Sequence, residues 1–279
     1  MQVRHRDGSA GDADYGVIGG KYAIHRRPDP RIAAQIERAL GAARTVLNVG
    51  AGAGSYEPTD RVVTAVEPSA SMRAQRPARL SPAIDGVAEH LPFSDASFDA
   101  SLATFSVHQW SDFAAGLREM RCVTRGPVVI MTCDPDELDR FWLAAYAPEV
   151  IAVEARRYPP IAAALGPPAA AAQPVPILHD CADGFNEAYY ARPECLLDPA
   201  ARLACSAWHF VGETPAARFV TALGGDLSDG AWDRKYGHFR KLPLFDGSLK
   251  LVVAGAPKSP HEQLWIWYPT SLHHRGGVR

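Results

Sequence analysis

The sequence predicts an α/β fold: a mainly parallel, seven-stranded sheet with helices on both faces and a mostly helical insertion before the last strand. Three observations carry this. Over the first half of the chain, short apolar β-branched runs alternate with amphipathic helical stretches, the pattern of βαβ units. The first run, TVLNV (45–49), breaks straight into the glycine loop GAGAG (50–54). After Asp134 the alternation stops, and strand signals return only at PVPIL (174–178) and LKLVVAG (249–255).

Taken in order, Asp29 and Pro30 begin a helix whose Ile32, Ile36 and Leu40 fall on one face, with Gly41 placed to end it. TVLNV and RVVTAV (61–66) are continuous apolar runs, as strands buried on both faces require. A short helix over Ser69–Arg76 stops at Pro77. AIDGV (83–87), FDASLA (98–103) and PVVIMT (127–132) supply three more strands. Between the last two, Phe113, Leu117 and Met120 mark a helix that stops before Gly126. Residues 136–165 read as helical, and the Ala-rich IAAALGPPAAAA (161–172) as a helix end followed by a loop. The expected organisation is one domain over 1–279: cap helices in 1–40, a cofactor-binding core in 41–178, an insertion or lid in 179–247, and the last strand and tail in 248–279. Trp208, Phe210, Phe219 and Trp232 are expected to form the insertion's core.

Composition narrows the function. The chain has 279 residues, is 47% hydrophobic and carries a net charge of −2. That length supports one large domain, and the lack of a long Lys/Arg run argues against nucleic acid as a partner. The five cysteines include no CxxC pair, so neither a disulfide framework nor a metal site is signalled, and a reducing cytoplasm fits best. MQVRHRDGSAGDAD has no apolar core of a secretory signal, and the Ala-rich stretch is too short to span a bilayer. No membrane role is expected.

The glycine loop lets a ligand approach the backbone closely. A dinucleotide site wants GxGxxG, whereas Gly50, Gly52 and Gly54 give GxGxG with Ser55 in the sixth position. That spacing disfavours NAD or FAD. Glu67 closes the second strand where an acid accepts hydrogen bonds from ribose hydroxyls, and its charge would repel the 2′-phosphate of NADP.

VLNVGAGAGSY, VTAVEPSASM, GVAEHLPFSDASFDA and LATFSVHQWSD, in this order and spacing, resemble the class I S-adenosylmethionine-dependent methyltransferases. The similarity is to the small-molecule type that methylates ubiquinone and menaquinone precursors. It covers roughly residues 15–133, and it implies a Rossmann-like fold with S-adenosyl-L-methionine as cofactor and S-adenosyl-L-homocysteine as product. It further implies that Gly50, Ala51 and Gly52 lie against the methionine part and that Glu67 holds the ribose. Pro68, Ser69 and Met72 would pack near the adenine, with Val87, Ala88 and Glu89 on its other side. Thr104 and Phe105 would offer backbone near the methionine tail. Tyr15, Tyr22 and Arg26 or Arg27 would cap the cofactor.

Two positions depart from the family's pattern: Asn48 and Val87 stand where Asp is usual. On this reading Asn48 contacts the cofactor, so Asn48→Asp is expected to preserve or tighten binding. The acceptor needs in-line alignment with the methyl group and, in some chemistries, a base. His108, in SVHQW, is the candidate base, and the alternative is that it only shapes the pocket. Trp110, Tyr146, His179, Phe185 and Trp208 are candidate acceptor contacts, and the rings of Tyr15, Tyr146, Trp110, Phe185 and Trp208 suggest an aromatic, uncharged acceptor. His179, with Asp180, also reads as simple turn chemistry. The competing functions are a nicotinamide-dependent oxidoreductase, a degenerate cofactor-binding protein, and an arsenite-methylating relative, which would need convergent thiols.

Overall fold

Continuous apolar runs give strands with no solvent-facing side, so Val46 and Leu47, adjacent in sequence and pointing to opposite faces, are both buried. In the computed structural model, which describes residues 4–19, 22–165 and 170–254, such runs form the centre of the sheet. β1 (Thr45–Val49) lies between β2 (Val62–Val66) and β3 (Ala100–Thr104), and β4 (Val128–Cys133) follows β3; all these pairs are parallel. Beyond them come β5 (Ala170–Pro174), β6 (Ile177–Leu178), β7 (Leu244–Phe245) and β8 (Leu249–Ala254). β8 runs antiparallel to both β4 and β5, giving the order β2-β1-β3-β4-β8-β5.

The sheet of the described residues therefore has six strands, where the sequence suggested seven. AIDGV contributes only a parallel bridge, Val66 to Ile84. PVPIL leaves the sheet, and its Ile177–Leu178 pairs with β7 in a separate two-stranded ribbon. The Ala-rich stretch expected to be a loop instead supplies edge strand β5, in register from Ala170↔Ala254 to Pro174↔Lys250. The open edge of β8 overrides alanine's poor strand preference, and Pro174 is tolerated because it ends an edge strand.

The helices follow their signals. α1 (Tyr15–Ile18) and α2 (Tyr22–His25) are short turns ahead of α3 (Pro30–Leu40). The Asp29 side chain accepts the Arg31 N–H at 2.9 Å to cap α3, and Gly41, at φ +56°, ends it. Ser69 caps α4 (Ala70–Ala74), and Asp112 caps α5 (Phe113–Val123). The stretch 136–165 is broken into α6 (Leu143–Tyr146), α7 (Pro148–Arg157) and α8 (Ile161–Leu165); Pro148 starts α7, and Pro159 and Pro160 separate α7 from α8. Within 179–247 lie α9 (Pro199–Leu203), α10 (Glu213–Ser228), α11 (Ala231–Tyr236) and several 3₁₀ turns.

Both faces of the sheet are covered. One core joins Leu47, Ile130 and Val252 to Leu117, Met120 and Val123 of α5. The other joins Ile32, Ile36 and Leu40 of α3 to Val46, Leu102 and Met131, and it continues through Trp142 to Trp208, Phe219 and Trp232. The segment 179–247 thus shares its core with that face of the sheet. Phe210 corrects the expectation: it is an exposed ring with the Arg157 guanidinium 4.6 Å above it. No helix of the described residues is long and apolar enough to cross a membrane.

Candidate functional site

The chain passes from β1 to β2 on one side and then returns to β3 on the other, so a crevice opens at the carboxyl ends of these strands. The residues just beyond those ends line an open cleft of about 750 Å³, the solvent at its mouth included: Gly50, Ala51 and Gly52 after β1, Glu67 and Pro68 after β2, and Phe105 and Ser106 after β3. Gly50 has φ +68°, and a Cβ there would meet the Ser106 Cβ at 2.5 Å. The loop is fastened by the Gly50 and Ala51 N–H groups, which both donate to the Val66 carbonyl at 2.9 and 3.0 Å.

Glu67 is the electrostatic centre of the cleft. Its carboxylate accepts the Gly52 N–H at 2.7 Å and the Ser69 N–H at 2.8 Å. Burial raises its pKa against the pull of these two backbone donors. Opposite stand Gly86, Val87, Ala88 and Glu89, and Glu89 accepts the Ser111 hydroxyl at 2.8 Å. The described lining contains Glu67 and Glu89 and no Lys or Arg. A pyrophosphate would meet two carboxyl groups and no cation in this lining; a phosphate-free cationic ligand with ribose hydroxyls meets the acceptors it needs.

The N-terminal segment covers this cleft. Asp7 accepts the Ser69 hydroxyl at 2.6 Å and the Ser71 hydroxyl at 2.9 Å, and its carbonyl accepts the Ala70 N–H at 2.7 Å. This tie to the start of α4 brings Ser9, Ala10 and Tyr15 onto the cleft wall. Burial works to raise the Asp7 pKa, and the hydroxyl and amide donors from Ser69, Ser9 and Ser71 outweigh it, holding it at about 2.

A second cavity of about 510 Å³ adjoins the first, and Tyr15 and Phe105 line both. Phe105 has φ +50°, a costly conformation for a bulky side chain, and its ring packs 5.3 Å from Phe185 beneath the Arg26 guanidinium at 4.6 Å. This chamber is lined further by His108, Glu154, Tyr158, Asn186 and Glu187. His108 sits in the 3₁₀ turn Val107–Gln109 after β3, its ring 4.7 Å from that of Tyr158, with Nδ1 buried and unpartnered. Desolvation, reinforced by Arg157 and Arg26, lowers its pKa and keeps the imidazole neutral.

Residues 47–130, which include the glycine loop, Glu67 and β3, match the model of a family described as a methyltransferase domain. Residues 47–130 therefore form a methyltransferase domain, similar to those of the class I S-adenosylmethionine-dependent methyltransferases. Its cofactor is S-adenosyl-L-methionine, in keeping with a cleft that offers carboxylates and no phosphate-binding cation. The chain is similar to two demethylmenaquinone methyltransferases. It is 41% identical to the one from Mycolicibacterium gilvum over 24% of this chain and 29% of that protein. To the one from Mycolicibacterium vanbaalenii it is 34% identical over 40% of this chain and 45% of that protein. It therefore spans less than half the length of the curated relatives it matches. Among solved structures, it is similar to a putative methyltransferase from an antibiotic biosynthesis pathway of Anabaena variabilis. That match has a TM-score of 0.77 and 28% identity, over 83% of this chain and 99% of that one.

Against this methyltransferase domain the sequence expectations can be placed one by one. Tyr15, Gly50, Ala51, Gly52, Glu67, Pro68, Met72, Val87, Ala88, Glu89, Thr104 and Phe105 line the first cleft. Ser69 lies behind it, holding Glu67 and capping α4. Trp110, expected at the acceptor, lines the cofactor cleft instead, because it packs over Gly116 in the first turn of α5. Of the two N-terminal arginines, Arg26 reaches the chamber, and its Nε donates to Asp183 at 2.7 Å. Arg27 is exposed and lines neither cavity. The side chain of Tyr22 lies outside the described residues.

Asn48 does not line the cleft either. It is buried behind the loop, where its Nδ2 donates to Glu57 at 3.0 Å, and Glu57 in turn pairs with Arg76 at 2.8 Å. Phe185 and His108 line the chamber. Tyr146 is absent from it: its hydroxyl donates to Asp226 at 2.6 Å, and its ring packs on Trp142 and Tyr236. His179 is exposed beside Asp180, which pairs with Arg31. Trp208 lines neither cavity but donates through Nε1 to the Asn186 Oδ1 at 3.0 Å. The expectations overlooked Ser9, Gln109, Glu154, Asn186 and Glu187. Gln109 lines the cofactor cleft with both amide atoms buried and unpartnered, and the polar His108–Gln109 pair before Trp110 was the one available signal. No group of His, Cys, Asp and Glu among the described residues could hold a metal ion, and burial pushes the Cys133, Cys181 and Cys205 thiols up, which argues against thiol-borne arsenite chemistry.

Proposed function

We propose that this chain transfers a methyl group from S-adenosylmethionine to a small-molecule acceptor, with the cofactor in the first cleft and the acceptor in the second chamber. The observation that carries this reading is the shared wall: Tyr15 and Phe105 line both cavities, so a ligand in each would meet across that pair. The cofactor, when bound, supplies a methyl group already activated on a sulfonium, so the protein's task is alignment and proton handling. Glu67 holds the ribose, the Gly50–Gly52 backbone faces the methionine part, and Gln109 offers its unpaired amide to the same ligand. Tyr22 belongs to the cap on the same reading.

The chamber's aromatic walls suit a small molecule. His108 is assigned to the acceptor: its neutral ring carries an unpaired nitrogen, and the lowered pKa makes it a hydrogen-bond partner more than a proton store. Residues 179–247, which supply Phe185, Asn186 and Glu187, act as the acceptor-binding part of the fold. Isothermal titration tests the reading. S-adenosylhomocysteine is expected to bind wild type with no comparable affinity for NADH, and Glu67→Ala is expected to weaken it severely. Preference for NADH, or binding indifferent to Glu67→Ala, would overturn it.

A further inference from the structure

The second chamber is lined by two carboxyl groups, Glu154 and Glu187, that make no direct ion pair with its cations. Arg26 is bonded to Asp183 through Nε at 2.7 Å and Nη2 at 3.3 Å, and Asp183 also accepts the Tyr56 hydroxyl at 3.0 Å. Arg157, the other cation acting on the chamber, is paired with Asp12 at 2.8 Å and donates to Ser206. Lys250, behind Glu187, pairs with Glu137. Each cation thus has a carboxylate of its own, and Glu154 and Glu187 are left over.

These two carboxylates differ in how they are held. Both oxygens of Glu187 are engaged, accepting the Ser248 N–H and hydroxyl, each at 2.9 Å, at the start of β8. Glu154 accepts a single hydrogen bond, from the Asn186 amide to Oε1 at 2.9 Å. Its Oε2 has no partner and is not sealed from the cavity that the residue lines. The amide is itself locked, because the Trp208 indole N–H occupies the Asn186 oxygen and turns the NH₂ toward Glu154. Trp208 is in this sense a positioning residue. Across the cavity stand the His108 imidazole, whose Nδ1 is buried and unpartnered, and the Tyr158 ring, which supplies an apolar wall.

We propose that the acceptor is a small amine carried in as its ammonium ion, whose nitrogen is bound by Glu154 Oε2 and whose apolar body lies against the chamber's aromatic rings. This rests on the methyltransferase reading above and names the acceptor class of the same site. Before transfer, one ammonium N–H bond breaks and its proton passes to Glu154, so the ion pair becomes a neutral amine and a neutral carboxylic acid and the nitrogen keeps the electron pair. That pair would then form the N–CH₃ bond as the S–CH₃ bond breaks, with S-adenosylhomocysteine as the leaving group and the positive charge passing from sulfur to the methylated nitrogen. Burial, with repulsion from Glu187, raises the Glu154 pKa to about 7, which suits a group that must both pair with a cation and accept its proton. The groups facing it are Glu187, Arg26, Arg157 and the Asn186 amide.

The test uses the full chain saturated with S-adenosylhomocysteine and titrates in phenethylamine, phenethyl alcohol and phenylacetate by calorimetry. The amine is expected to bind about tenfold tighter or more than either isostere. Just below neutral pH its binding should release protons, seen as an enthalpy that changes with buffer. Glu154→Gln is expected to erase the preference and the proton release while leaving S-adenosylhomocysteine affinity unchanged. Should that variant not fold, Trp208→Phe, which frees the Asn186 amide, is expected to reduce the preference. Equal or tighter binding of phenylacetate, a preference that survives Glu154→Gln, or no binding of any probe overturns the proposal. Failure of wild type to bind S-adenosylhomocysteine would instead sink the underlying methyltransferase reading.

Discussion

Asn48 shows how a residue's role is set by what its fold places behind it. Its sequence position, at the turn before the glycines, suggested a cofactor contact, yet its amide points to Glu57 inside the protein. An acid at this position would set a second carboxylate against Glu57, with Arg76 already serving the first. We therefore predict, against the sequence expectation, that Asn48→Asp destabilises the fold by about 1–3 kcal/mol through a lost donor and a like-charge contact. Urea unfolding of the variant checks this, and an unchanged midpoint would refute it. Gly50 is the opposite case, since its reason is local. At φ +68° and with Ser106 in the way, Gly50→Ala should cost about 1–3 kcal/mol of backbone strain and weaken S-adenosylhomocysteine binding. The glycine loop and Glu67 were legible because the glycines follow one apolar strand directly and Glu67 closes the next, so their spacing is itself the signal. Glu154 and Asn186 were not: each is an unremarkable polar residue in its own stretch, and only tertiary packing brings them to one cavity.

At the level of elements, β5 and the N-terminal segment teach different lessons. The parallel strands β1 to β4 were readable from their apolar runs, whereas β5 is an alanine segment that becomes a strand only because β8 presents an open edge. No local pattern carries that information. The N-terminal segment was expected to cap the cleft, and the device that holds it is the Asp7 carboxylate on Ser9, Ser69 and Ser71. Because its folded pKa is depressed to about 2, the stabilisation from Asp7 is complete above the unfolded value of 3.8 and is lost as pH falls toward about 2. We predict that Asp7→Ala makes the segment before α1 sensitive to limited proteolysis at neutral pH, and that wild type matches the variant only in strong acid. Equal protection of the two proteins at neutral pH would show that the tie is dispensable.

For the whole molecule, the two-faced sheet explains where chemistry is possible. One face is sealed by α5, while the other carries the continuous core that runs from α3 to Trp232 and encloses the chamber on its way. Holding Glu154 in that chamber has a price in stability with a definite sign. Its folded pKa of about 7 lies above the unfolded value of 4.5, so the native state binds the proton more tightly than the unfolded chain. Wild type should therefore lose stability relative to Glu154→Gln as pH rises from about 4.5 to about 7, and the difference should level off above that. Parallel unfolding series across this range test it; a flat difference would mean that the carboxylate titrates normally.

The central claim is that the cofactor and the acceptor occupy adjoining cavities that meet at Tyr15 and Phe105. A crystal structure of the chain with S-adenosylhomocysteine tests it most directly. The account predicts ribose hydroxyls on Glu67 and the sulfur facing the second chamber past Phe105. Ligand density elsewhere, or a sulfur turned away from that chamber, would contradict it.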